Sequence, residues 1–394
     1  MVFAALVGAL VTSCQQDEPE IAPDNSVSRS STQVIPGQYL VVYNTERTGH
    51  AGRLFRGNRQ SSNKFVLEKL SEIFQSKGFQ KPITVQVFSQ SINGVVMNLS
   101  ERELAVLKDD SRIAYIEEDK IISLAPPKGS AKPGGTVPQQ TPWGITRVNG
   151  VSNYTGSNVA WVIDTGIDLD HPDLNVDAGL SESFVTWGGP NSKIPEDEHG
   201  HGTHVAGTIG ALNNAIGVIG VAPGARLVAV KVLDRQGNGS ISSVVAGIDY
   251  VATNGNRGDV ANMSLGGSVS QAMDDAVVEA SSNGIMFCLA AGNERDDANN
   301  HSPARANGPD IYTISAMSQG DNWASFSNFG NPPIDYCAPG VAVTSTWKNG
   351  GYNTISGTSM ATPHASGVLL LGSAKASGVV NGDPDGEPDT IISH

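Results

Sequence analysis

Between residues 197 and 210 the chain reads D-E-H-G-H-G-T-H-V-A-G-T-I-G, with imidazoles at His199, His201 and His204 and glycines around the middle one. An imidazole can bind a metal, move a proton near neutral pH, or simply pack. His201 lies between Gly200 and Gly202, at the start of an apolar run with little side-chain bulk beside it. Two other positions offer complementary chemistry. Asp164 ends the run Ala160-Trp161-Val162-Ile163 and precedes Thr165-Gly166, which puts a carboxylate at the carboxyl end of a strand, where open α/β sheets build sites. A turn-capping role would also suit it. Ser359 stands in S-G-T-S-M-A-T-P-H, a glycine turn entering a long apolar helix. There it could be an N-cap, or could use the free N–H groups of that helix start to stabilise a developing anion.

These side chains need a scaffold, and the hydrophobic pattern supplies one. From Trp143 onward, apolar β-rich runs (158–163, 227–232, 260–264, 285–291 and 312–316) alternate with helical ones (202–211, 242–253, 270–283 and 358–374). That alternation predicts α/β architecture, a parallel sheet with helices on both faces. An earlier segment reads strand 39–43, helix 65–74, strand 83–88, strand 95–99, a helix opened by Ser100-Glu101-Arg102-Glu103, and strand 113–116. The S-x-x-E box marks that second helix start. The order β-α-β-β-α-β is the ferredoxin-like pattern of an α+β domain. Between the two units, A-P-P-K-G-S-A-K-P-G-G-T-V-P-Q-Q has no apolar face and reads as an exposed linker.

The whole chain has 394 residues, with 39 acidic against 25 basic side chains and a formal charge of -14. That balance repels nucleic acid and anionic bilayers, so neither is an expected partner. The apolar run 2–11 is too short for a bilayer span and reads as the core of a signal peptide. It ends in Val11-Thr12-Ser13-Cys14, which resembles the lipobox at which bacterial lipoproteins are cleaved and acylated, so Cys14 is the expected lipidation site. Residues 15–36 are Ser/Pro/Asp-rich and read as a flexible tether. Cys288 and Cys337 are too few for a disulfide framework, and no bridge between them is expected.

Asp, His and Ser follow one another in the order of the subtilisin triad. The stretches D-T-G-I-D, H-G-T-H-V-A-G-T and G-T-S-M-A-T-P-H resemble the three motifs of the subtilases, the subtilisin-like and proteinase K-like serine proteases. The resemblance runs from about residue 142 to 372. It implies Ser359 as nucleophile, His201 as general base and then acid, and Asp164 as the group that fixes the imidazole tautomer. It also implies Asn293, in A-A-G-N, as side-chain oxyanion donor beside the Ser359 N–H. His199 and His204 are then packing or surface groups. The metal reading rests on likeness to the H-x-H-x-D-H of metallo-β-lactamase-like hydrolases, but Thr203 replaces the aspartate. A first helical turn would also not converge all three rings on one ion. The G-x-S-x-G elbow of α/β-hydrolases fails at Ala361.

The same resemblance implies two backbone rails for an extended protein or peptide substrate, Ser264-Leu265-Gly266-Gly267 and Gly237-Asn238-Gly239. Ala290, Ala291 and Gly292 would border the first pocket, where no acidic residue is evident and an apolar side chain is expected. L-N-N-A-I-G-V resembles the calcium loop of bacterial subtilisins. The implied Ca2+ ligands are the carbonyls of Leu212, Ile216 and Val218 with the side chains of Asp173, Asn214 and Gln139, or else Gln140. Alternating carboxylates over residues 383–389 suit a second calcium or a solvated acidic turn.

The expected organisation is therefore a lipoprotein-type signal peptide (1–14), a tether (15–36), an inhibitor propeptide domain (37–124), a linker (125–141) and a peptidase domain (142–394). The propeptide would be the enzyme's own intramolecular inhibitor. Self-cleavage is expected near Leu124, or further on up to Gln139, with residues 117–124 threading the cleft and Ile121 in its fourth pocket. The short stretch after Ser359 implies that the family's terminal helices are absent or replaced. The product would be extracellular or on the outer cell surface, anchored at a bacterial outer membrane where lipidated, and monomeric.

Overall fold

The structure, a computed structural model, describes residues 33–55, 57–80, 83–124, 137–151, 153–372 and 374–394. The signal peptide, Cys14 and most of the tether lie outside them. Two sheets organise the chain. The first is antiparallel, in the order Thr84–Phe88, Gly94–Asn98, Gln33–Tyr43, Ile113–Ser123, which is the ferredoxin-like order. Strand alternation divides its two faces. Val41, Tyr43, Val95 and Met97 pack on Val66, Leu70, Ile73 and Phe74 of the domain's own helix Arg59–Ser76, while Leu40, Val42 and Val96 face the second unit. The expected capping box is present: the Ser100 hydroxyl accepts from the Glu103 N–H, and the Glu103 carboxylate accepts from the Ser100 N–H at 2.9 Å.

The second sheet runs Lys375–Val379, Thr390–Ser393, Ile334–Pro339, Ile311–Ser318, Met286–Ala290, Val260–Met263, Val159–Asp164, Arg226–Lys231, Glu182–Ser183 and is largely parallel. Buried on both faces, its central strand V-A-W-V-I-D is apolar up to its last residue. Ala160 and Val162 face the helices His201–Gly210 and Thr358–Leu370, whereas Val159, Trp161 and Ile163 face Ile241–Asn254 and Gln271–Ser281. The first pair of helices carries His201 and Ser359. The second pair is the platform on which the antiparallel sheet sits.

Three boundaries differ from the sequence reading. The last residues of the expected tether are strand, with Gln33 and Val34 paired to Ile121 and Lys120. The end of the expected linker is not an exposed connection: Val137 O accepts from Gly217 N at 2.7 Å, and Gln140 N donates to Gly217 O at 2.8 Å. Backbone pairing of this kind is independent of side-chain polarity, so composition does not reveal it. Past Ser359 the helix ends at Leu370, and a hairpin of Lys375–Val379 and Thr390–Ser393 joins the sheet edge at Cys337. Cys288 and Cys337 are buried and free.

Candidate active site

Asp164 is the last residue of its strand and fully buried; His201 is the first of its helix. Two glycines let these elements meet. Gly200 takes φ +111 at the N-cap, and a Cβ there would strike the Trp347 ring. At Gly202 a Cβ would strike the Gly166 carbonyl of the D-T-G turn. His201 Nδ1 consequently lies 2.8 Å from Asp164 Oδ1 and 3.0 Å from Oδ2. A carboxylate only accepts, so Nδ1 carries the proton and the neutral ring keeps its lone pair on Nε2. Burial alone would lower the basicity of His201. The adjacent Asp164 charge and hydrogen bond, with Asp197 behind them, outweigh it and raise the pKa above the ordinary histidine value.

Ser359 enters from the N-terminus of the helix Thr358–Leu370. Its hydroxyl donates to the Ser264 carbonyl at 3.0 Å, and the Ser264 hydroxyl donates back to the Ser359 carbonyl at 2.8 Å. Among the described residues it makes no hydrogen bond to His201. Asn293 completes the group. Its Oδ1 accepts from the Thr358 N–H at 2.8 Å and the Thr358 hydroxyl at 3.1 Å, which fixes the amide and leaves Nδ2 as the free donor. A Cβ built on Gly357 would lie 3.7 Å from the Ser359 nitrogen and 3.8 Å from Asn293 Nδ2. Both donors therefore border one small space beside the serine, which suits a developing oxyanion.

Of the other histidines, His204 donates from Nε2 to Val343 O at 3.0 Å, and burial pulls its pKa to about 3. It packs. His199 is half-buried, with its ring centroid 6.3 Å from that of His201, and burial and the neighbouring imidazole lower its pKa. The three rings do not form a metal cluster: no group of three His, Cys, Asp or Glu able to hold an ion occurs among the described residues.

Sequence reasoning missed several residues. Asp197 is buried and accepts from the Thr165 hydroxyl, the N–H groups of His199, Gly200 and Thr203, and the Thr203 hydroxyl, at 2.6–2.9 Å. Lys231, fully buried, donates to the carbonyls of Thr165 at 3.0 Å and Glu196 at 2.6 Å. A lone charge closing the apolar run R-L-V-A-V-K was the available signal. Glu294 corrects the view of the first pocket: its carboxylate accepts from Asn328 Nδ2 at 2.8 Å and crowds Gly292. An acid does border that wall, brought there by the turn after Asn293.

Between the two expected rails runs the strand Ile113–Ser123. Ile121, Ile122 and Ser123 pair antiparallel with Ser240, Gly239 and Asn238, and Leu124 N donates to Gly237 O at 3.0 Å. On the other side a Cβ at Gly267 would touch Ile122. Ile122, not Ile121, enters the apolar pocket with Leu233, Ile241, Val244 and Leu265. The strand period of two makes the choice: a register one residue along exchanges the faces. Leu124, on the same face, lies beside His199 at Gly237.

Several residues of the expected calcium loop lie together. Gln139 Nε2 donates to Leu212 O at 2.7 Å and Val218 O at 3.4 Å, so Gln139 rather than Gln140 reaches the site. Asp173 accepts from Asn214 Nδ2 at 2.8 Å, Val218 N at 3.1 Å and the Tyr352 hydroxyl at 3.2 Å. Two of the expected carbonyls, those of Leu212 and Val218, thus converge on the Gln139 amide, and oxygen donors of this kind suit a hard cation of flexible coordination. In the acidic tract, Asp389 Oδ1 accepts from Asn331 at 3.0 Å, Asp385 from Gly330 N at 3.1 Å and Asp383 from Asp389 N at 3.1 Å.

Comparison with known proteins places this geometry in context. Residues 156–379 match the model of the subtilase family of peptidases. The chain is 39% identical over 368 residues to the alkaline serine exoprotease A of Vibrio alginolyticus, spanning 90% of this chain and 64% of that one. Against the extracellular serine proteinase of a Thermus species the identity is 35% over 384 residues, 93% of this chain and 88% of that one. Subtilisin E of Bacillus subtilis is 40% identical over 325 residues, 80% of this chain and 78% of that one. A crystal structure of a cold adapted subtilisin-like serine proteinase superposes with a TM-score of 0.55 at 36% identity, covering 64% of this chain and 97% of that one.

Proposed function

The chain belongs to the subtilase family, and from that premise we propose that it is a serine endopeptidase working through Asp164, His201 and Ser359 and made as a secreted or surface-anchored, self-processing zymogen. The observation that carries the reading is the buried Asp164–His201 pair and, on the helix packed against that of His201, a serine whose own N–H and Asn293 Nδ2 share one space. Ser359 Oγ leaves the Ser264 carbonyl, turns to His201 and attacks the peptide carbonyl carbon while its proton passes to Nε2. The oxyanion takes the Ser359 N–H and Asn293 donors. His201 then gives the proton to the leaving amine, and water repeats the sequence on the acyl-enzyme.

The N-terminal domain acts as the inhibitor. Its last strand occupies the rails as a substrate would. Full-length relatives align over most of this chain, whereas the solved peptidase covers 64% of it, about what the second unit alone supplies. Leu124 and Val137 are each held to the second unit by backbone hydrogen bonds, so self-cleavage falls between them. Ca2+ held by Asp173, Asn214, Gln139 and the carbonyls of Leu212, Ile216 and Val218 would tie residues 137–140 to the loop after the His201 helix. A lipid on Cys14 would anchor the product. Among the described residues no helix is long and apolar enough to cross a membrane.

Casein hydrolysis by purified protein, with and without a serine-reactive fluorophosphonate and beside Ser359→Ala, tests the assignment. Loss of hydrolysis in both treatments is expected, and equal cutting by the variant refutes it. N-terminal sequencing and intact mass report the processing site and the lipid.

A further inference from the structure

The contact between the N-terminal domain and the helices Ile241–Asn254 and Gln271–Ser281 is rich in buried carboxyls, several of them without a cationic partner. Asp249 is fully buried. Its Oδ1 accepts from the N–H groups of Ser89, Gln90 and Ser91 at 2.7–3.0 Å and from the Ser91 hydroxyl, while Oδ2 has no partner. Glu117 accepts from Ala272 N through Oε2 at 3.0 Å, and its Oε1 is buried without a partner. Asp274, on the same helix, also has a buried oxygen without a partner, its cationic neighbour being Arg305 at 3.3 Å. Asp119 is fully buried, accepting from Ser242 N at 3.1 Å and Gln38 Nε2 at 2.6 Å.

Asp249 and Glu117 thus keep one oxygen desolvated and unpaired across the interface, with Asp274 near Glu117; the N–H groups on the other oxygen favour the charge, but burial outweighs them and favours the neutral carboxyl. We propose that docking of the N-terminal domain is coupled to proton uptake by these carboxyls, so that the contact tightens in mild acid and loosens as the pH rises. The proposal rests on the inhibitor reading above and adds to it the signal for release.

Other groups facing the cluster do not reverse the sign. Lys120 lies near Glu117 and lowers its proton affinity, whereas Asp119 raises it. The Tyr115 hydroxyl donates to Asp275 at 2.7 Å, and Asp275 adds negative charge beside Asp274. At the rim, Glu279 pairs with Arg53 and His50 and is held below the usual carboxylate range, so its pairing is lost only in stronger acid. Burial raises the pKa of Glu117, Asp119 and Asp249, and takes Asp274 to about 7. Solvated after release, the same groups return towards ordinary carboxylate values. A group whose proton affinity is higher in the docked state favours docking below its free pKa, and that contribution is lost as the pH climbs through its docked value. For Asp274 the window therefore runs from the ordinary carboxylate range up to about pH 7.

Hydrogen exchange on the full-length Ser359→Ala protein, which cannot cut itself, reads docking without turnover. The reporters are the amides of Ser89, Gln90, Ser91, Ser242 and Ala272. After correction for intrinsic rates, their protection is expected to fall by about tenfold or more between pH 5.5 and 8, while amides of Val159–Asp164 stay unchanged. Asp249→Asn keeps the acceptor for the three N–H groups and removes the charge, and should raise protection at pH 8 and flatten the slope. Protection that is flat or rises with pH, or an Asp249→Asn protein opened at every pH, overturns the proposal. Should Asp249→Asn not accumulate, the slope of the parent protein decides alone. Should the Ser359→Ala protein show this slope while the parent with its native serine hydrolyses casein before it is cleaved, the inhibitor reading fails and the proton linkage stands.

Discussion

Replacing Asp164 by Asn tests the pair on which the proposed chemistry depends. Asp164 Oδ1 accepts from the Thr165 N–H at 2.7 Å, so the asparagine oxygen stays there and Nδ2 takes the place of Oδ2, 3.0 Å from His201 Nδ1. Two donors then face each other unless Nδ1 gives up its proton, which moves to Nε2 and removes the base. The variant also loses the charge that supports the imidazolium. At 2.8–3.0 Å and an effective dielectric near 20, that attraction is roughly 6 kcal/mol. Each 1.36 kcal/mol is a factor of ten, so kcat should fall by about four orders of magnitude. A second readout separates this from general damage. With Asp164 present, His201 titrates above the ordinary histidine value, so the parent loses activity through an acid limb above about pH 6.5. Burial then acts with only Asp197 against it, and the residual activity of Asp164→Asn should show a limb displaced to lower pH. Steady-state kinetics on a peptide amide from pH 5 to 10, with thermal unfolding as the folding control, gives both quantities. A loss smaller than tenfold, or an unmoved acid limb, refutes the reasoning.

Asn293→Ala should lower kcat by about 100- to 1,000-fold with KM little changed, because the amide donor is used only as the oxyanion forms; a change confined to KM argues against that role. Chelation by EDTA should lower the Tm of the processed protein, and Asp173→Asn should lower it without further response to chelator, as differential scanning calorimetry would show. Lys231→Met should destabilise the fold by about 2–4 kcal/mol, since the carbonyls of Thr165 and Glu196 lose their buried donor; urea unfolding that matches the parent would contradict this.

The proposed triad residues, Asn293 and the cleft rails could be picked out of the sequence because each sits in a contiguous motif whose local backbone is set by its own glycines and caps, whereas the proposed calcium residues draw on three separate stretches. Both sheets followed from periodicity, since strands buried on two faces read as apolar runs and half-buried ones alternate. Other features are products of the fold alone. Asp197 and Lys231 gain meaning only when the D-T-G turn is laid against the His201 helix, and the resting partner of Ser359 is a carbonyl 95 residues away. Ile122 replaced Ile121 in the pocket because register belongs to a pair of strands, and the partner, Asn238–Ser240, lies in another unit. The chain itself settled which groups are available and which elements carry them. Which atoms meet was decided by long-range backbone pairing and exclusion of water, whose energies depend on neighbours that are distant along the polymer.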